Sequence, residues 1–545
     1  MIKMGRGHPW ALVHGLLAGI VSGIESSAEC ALVTTTVYVP TTIYAFAPNV
    51  TSSNEGGSCI VTSSSSITIG TSTSSSDGTT DVDIPTSTPS VPTSSSGPGT
   101  TISSTSLTSI SVIPTSRGSS SITTGSSVPA STGYPTPTSI GGLPPPPPPP
   151  PSGPFRGFKN AVYFTNWGIS QEQYPPQRLP VDDLSHVLYA FADIAPNGTV
   201  LSANPEADVT HKYPDDNYWE HGHNAYGAVK QLYIHKKWNR QLKVLLSIGG
   251  GDFTPKFAAA TSTEMRRQTF AKSAVKLVTD WGFDGIDIDW EYPKNEIERD
   301  NLVRLVAACR AAFDRYSFHN HLPYRFLVTV ASPVGESNWE FVDLRRMDPY
   351  VDIWHLMSYD YTGNWTTRTG HQANVFANKN NTASTPLNTD EAVRYYESRG
   401  IRAQKIVIGS PLYGRSFNGT SGLGQNYTSV GTGGPQPGVW YYKDLPKAGA
   451  HELFDDVAKA TYSYDRGARE LISYDNVRST AFKARYVRDR KLGGAFFWEA
   501  SGDRPHHGSL VKTMARALDW LDRTPNNLRY PTSQYTNIRF GMLGN

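Results

Sequence analysis

At 545 residues, with 18% charged side chains and a formal net charge of +2, the chain is close to neutral. It has no Lys/Arg run or basic stripe, which excludes the electrostatic footprint of a nucleic-acid binder. Its three cysteines show no Cys/His spacing of a metal site, and its 11% aromatic content fits either a large core or surfaces that stack on sugar rings.

The first elements in chain order are not those of a folded domain. Lys3 and Arg6 precede a short apolar stretch, Trp10 to Val21, and Ser26-Ser27-Ala28 supplies small residues for cleavage. Residues 1–28 therefore read as an export signal. The apolar stretch is shorter than the roughly 20 residues a bilayer span needs. No second such stretch follows, and the polar NIRFGMLGN end is not a lipid-anchor tail. A secreted, extracellular protein with no membrane contact after signal removal is expected.

Residues 29–60 form a small Thr/Val-rich segment of unassigned role that alternates like a strand. Cys30 and Cys59 bracket it, and their pairing in an oxidising compartment would stabilise it by roughly 3–4 kcal/mol. Residues 61–154 are Ser/Thr/Gly/Pro, too poor in apolar side chains to repay the entropy of folding. They read as a disordered, O-glycosylated linker. It ends in the prolines Pro144 to Pro151, a polyproline II rod of roughly 25 Å. Six Asn-x-Ser/Thr sequons, starting at Asn49, Asn197, Asn364, Asn380, Asn418 and Asn426, fit a secreted glycoprotein.

From about residue 155, eight β-like runs alternate with helical patterns: 160–167, 186–194, 243–250, 283–291, 325–333, 351–360, 405–414 and 493–501. The clearest helix spans 261–281, with Thr261 and Glu264 placed for a capping box. Cys309 lies in an apolar helical pattern and reads as a buried free thiol. This order predicts an α/β fold, a (β/α)8 TIM barrel over 155–523 with its site at the C-terminal strand ends. The long gap before the eighth run, residues 416–472, is read as a small α+β insertion, and 524–545 as a C-terminal tail.

The stretch DGIDIDWEYP, 284–293, places four acids within eight residues of a buried strand. Alternation puts Asp287, Asp289 and Glu291 on one face, roughly 7 Å apart, and Ile286, Ile288 and Trp290 on the other. Three such carboxylates cannot all ionise cheaply, so at least one holds its proton, as a general acid must. A calcium loop is the alternative, with acids at positions 1, 3, 5 and 12. Tyr292 and Pro293, however, occupy positions 6 and 7, where that loop needs Gly and a flexible turn.

This motif resembles the strand-four signature of family 18 glycoside hydrolases, the chitinase family. SIGG (247–250), MSYD (357–360), YGR (413–415) and Trp498 resemble further family motifs in the same order. The resemblance covers about 155–523, and the insertion is similar to that of the family's deep-cleft members. It implies a secreted chitinase that cleaves β-1,4 N-acetylglucosamine polymers by a substrate-assisted, retaining route, without cofactor or metal and as a monomer. In the implied roles Glu291 is the acid and base, Asp289 orients the substrate's acetamido group, Asp287 tunes Asp289, and Tyr359 bonds the acetamido oxygen. Trp498 is the floor under the sugar, and Met357, Asp360, Tyr292, Tyr413, Arg415, Gly249 and Gly250 line the groove. Arg415 is equally readable as an ion-pair partner, and the two glycines as a tight turn. An endo-β-N-acetylglucosaminidase acting on N-glycans and a chitin-binding lectin are the alternatives on the same fold. The endo or exo mode stays open. One departure stands out: Gly251 and Asp252 follow SIGG where many relatives have Trp, so that wall is either missing or supplied elsewhere, by Trp167 or Trp365.

Overall fold

The computed structural model describes residues 156–217 and 220–543, together with two short strands, Ala11–Leu12 and Tyr44–Ala45, paired antiparallel. Apart from Ala11–Leu12, the residues of the expected signal lie outside the described residues, as do the Cys30–Cys59 pairing and the linker. Among the described residues no helix is long and apolar enough to cross a membrane.

Eight parallel strands close into a barrel: β1 Lys159–Thr165, β2 His186–Ile194, β3 Lys243–Gly249, β4 Gly285–Asp289, β5 Leu327–Ser332, β6 Ile353–Leu356, β7 Ile406–Pro411 and β8 Gly494–Trp498. Each pairs with its chain neighbour, and β8 returns to β1 through Gly494↔Lys159. The strands are almost wholly buried because both faces are covered. Val244, Leu246, Ile286, Ile288, Val328 and Val330 point out to the helices, while Ala161, Tyr163, Leu188, Leu245, Ala331, Val407, Phe496 and Trp498 fill the barrel.

The expected 261–281 helix is one helix that starts later, Glu264–Trp281, and Thr261 belongs to a separate preceding helix, Thr254–Thr261. Thr263, extended at φ −129°, is the cap: its side chain accepts from the Arg266 N–H. Thr261 instead ends the preceding helix and donates to the Phe257 carbonyl at 2.8 Å, so the capping box is absent. An extended Thr263 puts its hydroxyl three residues ahead of the N–H it can reach, which Thr261 cannot do from inside a helix.

Between β7 and β8 stands a five-stranded antiparallel sheet: Tyr413–Asn418, Val439–Tyr441, His451–Asp455, Ala460–Asp465 and Glu470–Tyr474. A single 3₁₀ turn, Tyr442–Asp444, interrupts it. The Leu412 N–H donates to the Trp498 carbonyl at 2.7 Å, and the Tyr442 N–H to the Leu412 carbonyl at 2.9 Å. These bonds seat the insertion against the end of β8.

The segment after 523 packs across the N-terminal end of the barrel. Asn526 donates to the carbonyls of Lys236, Asn239 and Leu242. Tyr530 is fully buried and donates to the Phe283 carbonyl. Asp284, the first acid of the motif, is the hub. It accepts from the Val244 N–H, the Asn527 N–H and the Tyr324 hydroxyl, and pairs with buried Lys236 at 2.8 Å. Burial pulls Lys236 down to about 8 even though the Asp284 charge opposes it. Removing one partner of a buried pair leaves an uncompensated charge. Asp284→Ala is expected to cost about 3–5 kcal/mol of stability in urea denaturation; a loss below about 1 kcal/mol would show that the hub is not structural.

Candidate active site

The acidic ladder runs up β4 to the C-terminal rim. Asp287 and Asp289 are fully buried and inward-facing, and Glu291, just past the strand, is half-buried. The Glu291 N–H donates to Thr254 Oγ1 at 2.8 Å, which ties the acid's backbone to the start of the Thr254–Thr261 helix. On the outer face Trp290 stacks on Phe257, ring centroids 5.0 Å apart, and locks the alternation in place.

The two aspartates live in opposite environments. Asp287 accepts from Tyr163 Oη and Ser247 Oγ at 2.8 Å each and from Thr329 Oγ1 at 2.6 Å, and His355 Nδ1 lies at 3.1 Å. Burial pushes its carboxyl up, but the bonds from His355, Thr329 and Ser247 outweigh it and hold Asp287 below the usual carboxylate range. Neither carboxylate oxygen of Asp289 has a hydrogen-bond partner. Burial, then the charges of Glu291 and Asp287, raises its carboxyl well above the ordinary value. A buried polar group without a partner costs free energy and calls for an explanation.

Two more buried polar atoms share this condition: Tyr359 Oη and Trp498 Nε1. Tyr359 follows β6, and its ring fits over β7 because residue 409 is glycine; a Cβ there would lie 2.6 Å from the ring. Its hydroxyl is pushed far up by burial, with Tyr413, Asp289, Glu291 and Asp360 adding to the shift. Trp498 ends β8 and packs against Tyr163 at 5.1 Å, Phe191 at 5.7 Å and Trp167 at 6.3 Å. Two donors, Tyr359 and Trp498, and one acceptor, Asp289, therefore lie unpartnered among these aromatic rings, with Glu291 close enough to act on Asp289 and Tyr359 through its charge.

Residues 159–503 match the profile of the glycosyl hydrolases family 18. The chain belongs to this family. Endochitinase 1 of Metarhizium robertsii is 47% identical over 383 residues, 70% of this chain and 90% of that protein. Chitinase 1 of Aphanocladium album is 46% identical over 386 residues, 71% and 91% of the two chains. Among solved structures, the catalytic domain of the psychrophilic chitinase B from Arthrobacter TAD20 superposes with a TM-score of 0.61 at 26% identity, covering 68% of this chain and 98% of that one.

The remaining expected groove residues of this glycoside hydrolase fall into separate groups. Met357 is buried in the inner cluster beside Tyr359. Half-buried Tyr292 packs against that cluster. Arg415 grips Asp360 with two bonds, Nε–Oδ1 at 2.9 Å and Nη2–Oδ2 at 2.7 Å, and Tyr413 Oη donates to Asp360 Oδ1 at 2.6 Å. Burial raises the Asp360 carboxyl, yet the Arg415 charge more than offsets this and holds it low. The guanidinium also lies over Trp365, 4.8 Å from the ring centroid, so Arg415 acts here as the ion-pair partner that joins insertion to barrel. Gly249 and Gly250, at φ +109° and +84°, meet a packing demand: a Cβ would strike the Asp289 carbonyl at 2.3 Å or the Phe191 ring at 2.5 Å.

A cleft of about 540 Å³ opens beside Trp498 and supplies the wall that Gly251 cannot. Trp167, Phe191 and Phe253 line it from the barrel, Gln436 and Tyr441 from the insertion, and Glu172 and Glu499 from its polar side. Trp365, nearly half exposed, stands instead by Arg415. Phe191 was hidden in the sequence because the pairing of β2 with β3 shifts register between Ala190 and Ala192. A bulge of this kind breaks the period-two rule and turns Phe191 inward. The Asp287 partners Tyr163, Ser247, Thr329 and His355 were also unmarked, since each is ordinary within its own strand.

Proposed function

We propose that this glycoside hydrolase is a secreted chitinase that cleaves β-1,4 N-acetylglucosamine linkages with retention of configuration, the substrate's own acetamido group acting as nucleophile. The observation that carries the reading is the set of three buried, unpartnered polar groups, Asp289, Tyr359 and Trp498, beside Glu291. An acetamido group offers complements to the first two: its N–H for Asp289 and its carbonyl oxygen for the Tyr359 hydroxyl. The inward residues of β7, Val407 and Gly409, carry no carboxylate to attack the sugar. The relatives named as chitinases support the same substrate.

Glu291 gives its proton to the glycosidic oxygen as the C1–O bond breaks, and the acetamido oxygen closes on C1 to form an oxazolinium ion. Asp289 takes the acetamido N–H and faces the positive ring, while Trp498 supports the distorted sugar. Water then adds to C1, Glu291 accepts its proton, and the ring opens with the original anomer restored. Such substrate assistance is a recognised exception to the two-carboxylate scheme of glycosidases. Proton NMR of the first products from a chitin hexamer tests it: β-anomers are expected, and initial α-anomers would exclude this route.

A further inference from the structure

Of the five Asn-x-Ser/Thr sequons among the described residues, four meet at one seam. There the loop 361–384, which follows β6, packs against the insertion segment 418–429. Thr369 Oγ1 donates to the Gly422 carbonyl at 2.7 Å, Asn381 Nδ2 to the Leu423 carbonyl at 3.1 Å and Tyr427 Oη to the Thr366 carbonyl at 2.6 Å. The Thr369 N–H adds a bond to the Gln425 carbonyl at 2.9 Å, and Arg368 forms a β-bridge with Asn426. These contacts bring Asn364 and Asn380 of the loop beside Asn418 and Asn426 of the insertion.

The four are not equivalent. Asn380 and Asn426 are exposed, and so are Thr382 and Thr428, the hydroxyl residues of their sequons. Neither side-chain amide has a hydrogen-bond partner among the described residues. The backbone under Asn380 is held instead, its N–H donating to Asn378 Oδ1 at 2.9 Å. Asn418 is the opposite case. It ends the strand Tyr413–Asn418 with its Oδ1 buried, and Thr420 is fully buried, its hydroxyl donating to the Gly422 carbonyl at 3.0 Å. Asn364 is exposed, but the Trp365 ring beside it folds back on Gly363 and over Arg415 and competes with a glycan for space. An N-linked glycan is bulky and belongs on the surface, so this seam leaves Asn380 and Asn426 as the pair open to one.

We propose that Asn380 and Asn426 carry N-linked glycans that together shelter this seam. The step is transfer of an oligosaccharide from a polyprenyl diphosphate donor. The side-chain nitrogen bonds to C1 of the leading N-acetylglucosamine, the C1–O bond to the diphosphate breaks, and the amide releases one proton. The inference rests on the reading of the chain as secreted and adds to it a modified face. Exposed polar loops are where proteases nick a folded chain, and both asparagines sit on such loops. Neither borders the catalytic cleft, so the glycans leave the substrate's path open.

The test secretes the full chain from a yeast host, as wild type and as the Asn380→Gln/Asn426→Gln double variant. Release of the glycans by peptide-N-glycosidase in heavy-oxygen water, followed by peptide mass spectrometry, reads each sequon. The oxygen label is expected at Asn380 and Asn426 and absent from Asn418. The double variant should be nicked about three- to tenfold faster by a broad protease at this seam, with kcat on chitin hexamer within about twofold of wild type. Secreted protein with both sites bare, a label at Asn418, equal protease lifetimes or a tenfold fall in kcat would each overturn the proposal and leave secretion standing. If the full chain stays inside the host with its N-terminus uncut, secretion itself falls and takes the glycans with it.

Discussion

Glu291→Gln is expected to lower kcat on chitin hexamer by about 10²–10⁴-fold, with KM within a few-fold of wild type. In free energy that is about 3–5 kcal/mol taken from the transition state alone. The amide keeps the shape of the carboxyl and its place at the rim, where the backbone is held by Thr254 and flanked by the Trp290–Phe257 stack. Only the transferable proton is lost, so binding in the ground state is preserved and the chemical step is not. Hydrolysis within a few-fold of wild type, with an unchanged thermal unfolding profile, would remove Glu291 from the acid's role. Asp287 keeps its negative charge through its bonded partners, while burial and the charges of Glu291 and Asp287 raise the Asp289 carboxyl. Three carboxylates this close disfavour full ionisation, so the cluster as a whole retains a proton.

Much of this was legible along single strands and little of it across them. The period-two pattern in DGIDIDWEYP places Asp287 and Asp289 inward and Trp290 outward, as the structure has them. The alternation of apolar runs and helices gives the barrel for the same reason: each element announces its own buried face. The opposed states of the two aspartates depend instead on neighbours drawn from β1, β3, β5 and β6. Tyr163, Ser247, Thr329 and His355 meet at Asp287 only through barrel register, which no local pattern encodes. Phe191 escaped because a bulge reversed its face. The role of Asp284 was equally hidden: its partners Lys236, Tyr324 and Asn527 lie 48, 40 and 243 residues away. What the pattern called a tail is therefore held by the same ten residues that carry the acidic ladder.

Asp289→Asn should divide activity from stability. Losing the charge that faces the ring and orients the acetamido group is expected to lower kcat by about 10²–10³-fold, the range for removal of one preorganised electrostatic partner. The same substitution should make the protein more stable at neutral pH. In the folded state burial and the charges of Glu291 and Asp287 hold the Asp289 carboxyl well above its ordinary range, and neither oxygen is hydrogen-bonded. In the unfolded chain it titrates near 3.9. From about pH 4 up to the raised native value, the folded protein binds a proton that the unfolded chain has released. Stability conferred by this group therefore falls as pH rises through that window. Asparagine resembles the protonated carboxyl and cannot ionise, so the variant should lose this downward slope and gain about 1–3 kcal/mol at neutral pH, the scale of an unmet buried polar group. Urea denaturation of both proteins from pH 4 to 8 reads the difference directly. Parallel pH profiles would mean that Asp289 is neutralised within the fold by a partner, and its role as the clamp for the acetamido group would have to pass to another residue. A variant that is inactive, more stable at neutral pH and indistinguishable from wild type near pH 4 would mark Asp289 as a carboxylate kept at a stability cost for the reaction it serves.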